Sequence, residues 1–199
     1  LGHRLLSSYS GVNSHSLGTG KISSSDFSNL INALDLIVDS KLFIDDTAGI
    51  SVLDLRSKSR QIKNEHGLNF IVIDYLQLMQ GNSHKNYEFN RQQEISEISR
   101  GLKMMARELN VPIIVLSQLN RAVETRADHR PMLADIRESG AIEQDADVIM
   151  FLYRDDYYNP DSPEKNVAEV IVAKQRNGPT GTVKLVWQPT YTRFVNMAR

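Results

Sequence analysis

The sequence of 199 residues contains no cysteine, so it can form neither a disulfide framework nor a thiolate metal site. It also lacks any run of about 18 apolar residues, the length that a membrane-spanning helix needs. Lys and Arg total 23 against 24 Asp and Glu, which gives no sign of the basic excess of proteins that coat nucleic acid. Any contact with nucleic acid must be local, and we expect a cytoplasmic protein without a membrane segment.

The chain opens with LGHRLL, which has neither an initiator Met nor a targeting pattern and is typical of a helix interior. We therefore expect a piece of a longer protein. A length of 199 residues suffices for one sizeable core, and we expect a single domain over residues 1–199.

A phosphate-binding loop is suggested by the letters GTGK at residues 18–21. That motif needs a Gly five residues before the Gly-Lys pair and a Ser or Thr after it. His15 and Ile22 occupy those positions. We predict a surface turn within a Gly- and Ser-rich loop over residues 11–25, and the sequence contains no phosphate-binding loop elsewhere.

Three stretches carry apolar residues at helical spacing. The first two cover residues 27–38 and 52–65. The third predicts a longer helix whose inner face contains Ile95, Ile98, Leu102, Met105 and Leu109. Ser24 or Ser25 is the expected cap of the first helix, which should bury one face, and Ser51 caps the second. We expect Met104 and Met105 to fill the core.

Short apolar runs between these helices predict strands. They cover residues 42–44, 70–73, 112–116 and 147–152. Alternation of helices and strands is typical of a wound α/β fold. We therefore predict a mostly parallel twisted sheet with helices against it, whose strands are buried on both faces.

Asp74 ends the second of these strands, FIVID. A carboxylate at the carboxyl edge of a parallel sheet can hold a hydrated Mg²⁺ beside nucleotide phosphates, as in a Walker B motif. The alternative is an Asp that ends the strand and caps the next turn.

Gln118 follows the next strand in VPIIVLSQ. Its amide can donate to a γ-phosphate or to an attacking water, which would make it a nucleotide sensor. The alternative is an exposed Gln at a strand end.

Residues 128–147, DHRPMLADIRESGAIEQDAD, gather charges around a single glycine, Gly140, between two predicted strands. Because α/β proteins bind ligands at the carboxyl edge of the sheet, we predict a ligand-contacting loop. Arg137, Glu138 and Gly140 form its centre. The alternative is an ion network that holds the loop to the sheet.

Lys174 and Arg176 precede a turn over residues 177–181, at the end of an alternating strand over residues 167–173. The planar guanidinium of Arg binds two phosphate oxygens at once, so the pair is a candidate phosphate contact. The alternative is two solvated charges at a hairpin. Residues 183–187 alternate again and predict one or two closing antiparallel strands.

Four segments together resemble the ATPase domain of the bacterial DnaB-type replicative helicases. They are FIVIDYLQLM, VPIIVLSQLNR, RPMLADIRESGAIEQDADVIMFLYRDDYYNP and AKQRNGPTGTV. RESGAIEQDAD and AKQRNGPTG are the most specific, and the resemblance covers nearly the whole chain. It implies a RecA-like fold, a homo-hexameric ring, ATP hydrolysis between neighbouring subunits, 5′–3′ translocation on single-stranded DNA, and primase and a helicase loader as partners.

The same resemblance implies residue roles. Asp74 would position Mg²⁺, and Gln118 would sense the γ-phosphate of ATP. Lys174 and Arg176 would reach the neighbouring subunit's site, with Arg176 as the arginine finger. Arg137, Glu138 and Gly140 match the family's loop that holds the DNA backbone, and phosphate contacts of that kind do not select sequence.

From the resemblance we expect the family's phosphate-binding loop, its catalytic Glu and its N-terminal domain to precede the point where this sequence starts. We expect the 199 residues to be about the C-terminal two-thirds of a RecA-like domain and to be inactive alone. Two rival hypotheses are a RecA-fold recombinase or clock-type ATPase and a non-catalytic interaction module.

Overall fold

The computed structural model describes residues 1–81, 91–136 and 139–197. Its α-helices are α1 Gly2–Ser10, α2 Ser14–Thr19, α3 Ser24–Asp39, α4 Val52–His66, α5 Arg91–Leu109, α6 Ser139–Asp145 and α7 Asp155–Tyr158. Its strands are β1 Ile71–Ile73, β2 Ile113–Val115, β3 Val148–Tyr153, β4 Val167–Gln175, β5 Gly181–Gln188 and β6 Arg193–Asn196. Short 3₁₀ turns cover Leu76–Leu78, Arg121–Thr125, Leu133–Asp135 and Pro189–Tyr191.

The strands form two sheets. β1 and β2 are parallel, with Ile71 opposite Ile113 and Ile73 opposite Val115. The second sheet has four strands in the order β3-β4-β5-β6, and β5 runs antiparallel to β6 with Trp187 opposite Phe194. The predicted α/β class and the antiparallel closing strands are confirmed. The described part of the chain contains no helix long and apolar enough to cross a bilayer.

The chain divides into two compact units. One contains Leu1–Ile44, Leu152–Ile171 and Gly181–Arg199, and the other contains Asp45–Phe151 and Val172–Thr180. The candidate site residues predicted from sequence all have numbers within the second unit.

Helix α5 organises the core of the second unit. Ile95, Ile98, Leu102, Met105 and Leu109 are all buried, as predicted, and pack with Ile73, Leu76 and Met79. Helix α4 approaches closely at Gly101, where an added Cβ would lie 3.0 Å from Val52 Cγ1. The prediction for Met104 is wrong: its side chain is 61% exposed, because the next residue along a helix points about 100° away.

Helix α3 belongs to the first unit and differs from its prediction in two ways. Its cap is Ser23, whose hydroxyl accepts from the Asp26 amide at 3.1 Å, rather than Ser24 or Ser25. Its apolar stripe, formed by Phe27, Ile31, Leu34 and Val38, is exposed instead of buried. The helix packs against α1, and Ala33 is its buried residue. Helical periodicity predicted the apolar stripe correctly. It could not show whether another element packs against that stripe and buries it.

Three further expectations are wrong for the described residues. Residues 42–44 are exposed and form no strand, because no described strand pairs with them. Strands β1, β2 and β3 are not buried on both faces: Val72 of β1 and Ile114 of β2 are 54% and 40% exposed, and burial alternates along β3. The stretch 11–25 is not all loop, since α2 begins at its Asn13 cap.

Residues 18–21, which resemble a phosphate-binding loop in sequence, lie at the C-terminal end of α2. Gly20 has φ 72°, the left-handed conformation that suits a helix end, and its surroundings are open. The prediction of an exposed turn at this position is confirmed.

Candidate functional site

The carboxyl ends of β1 and β2 meet at one edge of the parallel sheet. The Leu116 amide donates to the Ile73 carbonyl at 2.9 Å, and the Leu76 amide donates to the Leu116 carbonyl at 2.9 Å. Asp74 therefore lies beside the end of β2, and Gln118 follows two residues after Leu116. Both side chains are exposed, so this edge presents one carboxylate and one amide to a ligand.

Gln77 joins the two strand ends, and sequence patterns did not indicate it. Its Nε2 donates to Ser117 Oγ at 3.1 Å, and the Gln118 amide donates to its Oε1 at 3.3 Å. Its own carbonyl accepts from Arg91 at 2.9 Å. The only sequence signal is its position, three residues after Asp74 in a short turn. By contacting both Ser117 and Gln118, this side chain fixes the loop that presents the candidate sensor.

The donors at this edge fit a magnesium nucleotide rather than a metal held by protein alone. Mg²⁺ usually keeps several waters and binds one or two carboxylates together with substrate phosphates. Asp74 supplies one exposed carboxylate of that kind. Within residues 1–81, 91–136 and 139–197 there is no cluster of three or more His, Cys, Asp or Glu side chains that would enclose a metal ion.

Lys174 and Arg176 lie together, at the end of β4 and just after it, and contact the C-terminal end of α6. The Lys174 ammonium donates to the Glu143 carbonyl, and Arg176 Nη2 donates to the Gln144 carbonyl at 2.6 Å. Arg176 Nε also lies 3.3 Å from Asp147 Oδ1. Lys174 and Arg176 thus contact the same helix end, whereas Asp74 and Gln118 follow two paired strands.

Arg137 and Glu138, the centre of the predicted ligand-contacting segment, lie outside the described residues. Gly140 is described and lies in the first turn of α6, with helical rather than positive φ, and an added Cβ would have no atom of the described residues within 4 Å. Residues 128–147 are therefore not one loop, since they contain a 3₁₀ turn and α6. A conformational need for glycine at residue 140 is ruled out.

A short stem precedes that segment. Leu119 and Ile136 form an isolated antiparallel bridge, and the Asn120 amide donates to the Asp135 carbonyl at 2.7 Å. The side chains of Arg126 and Asp135 pair within it, and Asp135 is buried. The hydrogen bond from Arg126 holds the pKa of Asp135 below its usual value. Sequence patterns gave no signal for this pair, because its partners are separated by a loop without periodicity.

Comparison with known proteins gives one consistent result. The family model described as "DnaB-like helicase C terminal domain" matches residues 1–196. Over 196 residues, the chain is 55% identical to "Replicative DNA helicase DnaB" of Geobacillus stearothermophilus and 53% identical to "Replicative DNA helicase DnaC" of Bacillus subtilis (strain 168). Each match covers 98% of this chain and 43% of the relative. The chain thus spans less than half the length of these curated relatives.

Solved structures are similar to the same extent. The chain aligns with a structure described as an ATPase domain at a TM-score of 0.92 and 47% identity, covering 98% of this chain and 69% of that one. It aligns with "The Structure Of A DnaB-Like Replicative Helicase And Its Interactions With Primase" at a TM-score of 0.92 and 46% identity, covering 98% and 47%. These similarities confirm the predicted RecA-like fold class.

Proposed function

This chain belongs to the DnaB-like helicase C-terminal domain family, and we propose that it supplies ATPase machinery to a replicative DNA helicase. In this proposal the chain acts within a homo-hexameric ring that moves along single-stranded DNA and unwinds the duplex at a replication fork. The observation that carries this proposal is the edge of the parallel sheet that Asp74 and Gln118 follow, in a chain similar to replicative helicases over 98% of its length.

The sheet edge is suited to the terminal phosphates of ATP. In this proposal Asp74 offers the carboxylate for hydrated Mg²⁺, and the Gln118 amide, after the neighbouring strand, detects the γ-phosphate. If Asp74 holds Mg²⁺ there, the metal would supply charge neutralisation at the nucleotide phosphates. Gln77 keeps Gln118 in place through its hydrogen bond to the Gln118 backbone.

Lys174 and Arg176 act in trans in this proposal. Arg176 is about half exposed, and its planar guanidinium matches the oxygens of a phosphate. In a ring, these two cations reach the nucleotide that the neighbouring subunit holds at its own Asp74. An arginine supplied by a neighbour stabilises the charge of the transferring phosphoryl group.

The DNA contact is proposed for Arg137, Glu138 and Gly140. A net charge of −1 is compatible with this role, since six copies of a small segment replace one basic face. Contacts limited to phosphates also suit a motor that must pass every sequence. Primase and a helicase loader are the proposed partners. One similar solved structure is described as showing a DnaB-like helicase with its interactions with primase.

The test uses the native protein with Asp74→Asn, which keeps the shape of the side chain and removes its charge. We expect ATP turnover stimulated by single-stranded DNA to fall roughly 10²-fold or more, because the metal loses its carboxylate. Asp39→Asn, at the exposed end of α3, is the matched control. Unwinding of a forked duplex separates a helicase from a recombinase. Full turnover in Asp74→Asn, or turnover by the wild type without unwinding, would contradict the proposal.

A further inference from the structure

The C-terminal end of α6 is held from two sides. On one side, Lys174 and Arg176 donate to the carbonyls of Glu143 and Gln144. On the other side, Ser99 Oγ of α5 donates to Asp145 Oδ2 at 2.8 Å. The last carbonyls of a helix have no partner within the helix, and cations stabilise that end. The two candidate phosphate contacts therefore also act as caps of α6.

Asp147 connects the two sides. Lys103 of α5 donates to its Oδ2, and Arg176 Nε lies 3.3 Å from its Oδ1. The Arg176 amide also donates to the Asp147 carbonyl at 2.9 Å. The hydrogen bond from Lys103, and to a lesser degree the charge of Arg176, holds the pKa of Asp147 below its usual value. The carboxylate is therefore ionised at neutral pH and fixes the direction of the guanidinium.

We propose that Asp147, held by Lys103, is a positioning residue that docks Arg176 on the C-terminal end of α6. The docking ties Arg176 to the helix whose first turn contains Gly140. This inference rests on the proposed function, because it joins the proposed nucleotide contact to the proposed DNA contact.

Docking of this kind couples the binding of nucleotide to the binding of single-stranded DNA through the short helix α6. When Arg176 turns toward a neighbouring nucleotide, it withdraws its hydrogen bond from the Gln144 carbonyl. The C-terminal end of α6 then loses a cap, and the seven residues of α6 are too few to leave its first turn unaffected. Coupling between two sites is reciprocal, so DNA bound near the first turn alters how readily Arg176 is released.

The experiment measures this coupling in the native protein. The affinity for a labelled oligo-dT strand is determined with and without a slowly hydrolysed ATP analogue, and the ratio of the two affinities is the coupling factor. Such factors are typically about 5–150-fold, and we expect Asp147→Asn to bring the factor below about twofold. In Asp147→Asn, the affinity for the strand without nucleotide should lie close to the wild-type affinity measured with the analogue, because α6 has already lost its Arg176 cap.

Asp45→Asn is the matched control. Asp45 is an Asp in the same unit with a Lys partner, Lys58, at 2.7 Å, but among the described residues it contacts neither α6 nor Arg176. We expect it to leave the coupling factor unchanged.

Substitutions at Lys103 test the other half of the contact. Lys103→Met should lower the coupling factor as Asp147→Asn does. Lys103→Arg should keep the factor near the wild-type value, because Arg retains the charge that holds Asp147.

A purely structural role would give a different pattern. In an Arg176→Ala background, Asp147→Asn should change the coupling factor no further, because its effect passes through Arg176. An additional loss in that background, or an unchanged factor in Asp147→Asn alone, would overturn the inference. A wild-type protein that binds no single-stranded DNA or shows no effect of nucleotide would overturn the proposed function together with it. The wild-type result therefore separates the two failures.

Discussion

The guanidinium of Arg126 and the carboxylate of Asp135 form a two-pronged ion pair. Nη1 lies 3.0 Å from Oδ1, and Nη2 donates to Oδ2 and to the Arg130 carbonyl at 2.6 Å. The same carboxylate accepts from the Met132 amide at 2.8 Å. The pair thus closes the loop whose stem ends at Ile136, immediately before the proposed DNA-binding residues.

We expect Asp135→Asn to lower the melting temperature by about 5 °C at pH 7, because it leaves Arg126 without its nearest charged partner in a partly buried site. The folded pKa of Asp135 is lowered, so the stability it adds is present above the usual value of 3.8. That stability is lost as pH falls through the folded pKa, and the variant and wild type should then converge. Thermal unfolding at several pH values checks this.

Asp128→Asn is the control for that measurement. Asp128 lies 4.0 Å from the same Arg126 but is 61% exposed, so the exchange should leave the melting temperature nearly unchanged. Equal effects of the two variants would show that the buried geometry of Asp135 is unimportant.

The spacing of apolar residues along the sequence predicted several helices and strands correctly. The spacing of Ile95 to Leu109 identified the buried face of α5, and the FIVID run identified β1 and the exposed Asp74 after it. The alternation near the end identified the antiparallel β5 and β6. In each case the periodicity of the sequence equals the periodicity of the element.

What the sequence could not show depends on neighbours distant along the chain. The apolar stripe of α3 and the exposed side of β1 have the right pattern but no described cover. Gln77 and Arg126 form contacts across 40 and 9 residues, respectively, and neither stands in a repeating pattern. The helical conformation of Gly140 was missed because Ser139–Asp145 is too short to show periodicity.

The Gln77 contacts predict a functional effect. Gln77→Ala removes the bridge between Ser117 and the Gln118 backbone, which leaves the candidate sensor less well placed. We expect ATP turnover to fall about fivefold, the effect of roughly one hydrogen bond, with nucleotide affinity unchanged. Steady-state turnover and nucleotide titration measure the two quantities. Gln61→Ala, an exposed Gln on α4 that bonds Glu65, is the control, and an identical result for both would count against a role for Gln77.

Arg176 is predicted to serve the neighbouring subunit. In the native protein, Arg176→Ala should leave nucleotide binding near normal and lower turnover by roughly 10³-fold, the lower end for arginine fingers. Mixed rings distinguish the two possible arrangements. If Arg176 acts in trans, adding wild-type subunits to mutant ones should restore some activity to mutant sites. Activity strictly proportional to the wild-type fraction would show that Arg176 serves its own subunit.

Arg137 is predicted to hold DNA phosphates. Arg137→Ala should weaken single-stranded DNA binding by a similar factor on any sequence and reduce the salt slope by about 0.7, one counterion for a single strand. Basal ATP turnover should persist while its stimulation by DNA falls. Glu138→Ala should be milder, because a carboxylate can only orient Arg137 or bind an ordered water near a polyanion. Unchanged affinity and slope together with a lowered melting temperature would indicate a structural ion network instead.

A substitution at Gly140 can show whether glycine is needed there for backbone conformation or for close approach of DNA. Because Gly140 is helical and an added Cβ would meet no atom of the described residues within 4 Å, Gly140→Ala should leave the melting temperature unchanged or slightly raised. We nevertheless expect single-stranded DNA affinity to fall about tenfold, since the methyl group blocks close approach of the DNA backbone.

Gly20→Ala is the matched control for Gly140→Ala. Gly20 has φ 72° and equally open surroundings, so the same exchange should lower the melting temperature through backbone strain and leave DNA affinity unchanged. Titrations of oligo-dT at several salt concentrations, paired with thermal unfolding, measure both effects for both variants. DNA contact at Gly140 is contradicted if Gly140→Ala binds DNA like the wild type. In that case the first turn of α6 faces away from the DNA, and the backbone is held by other residues.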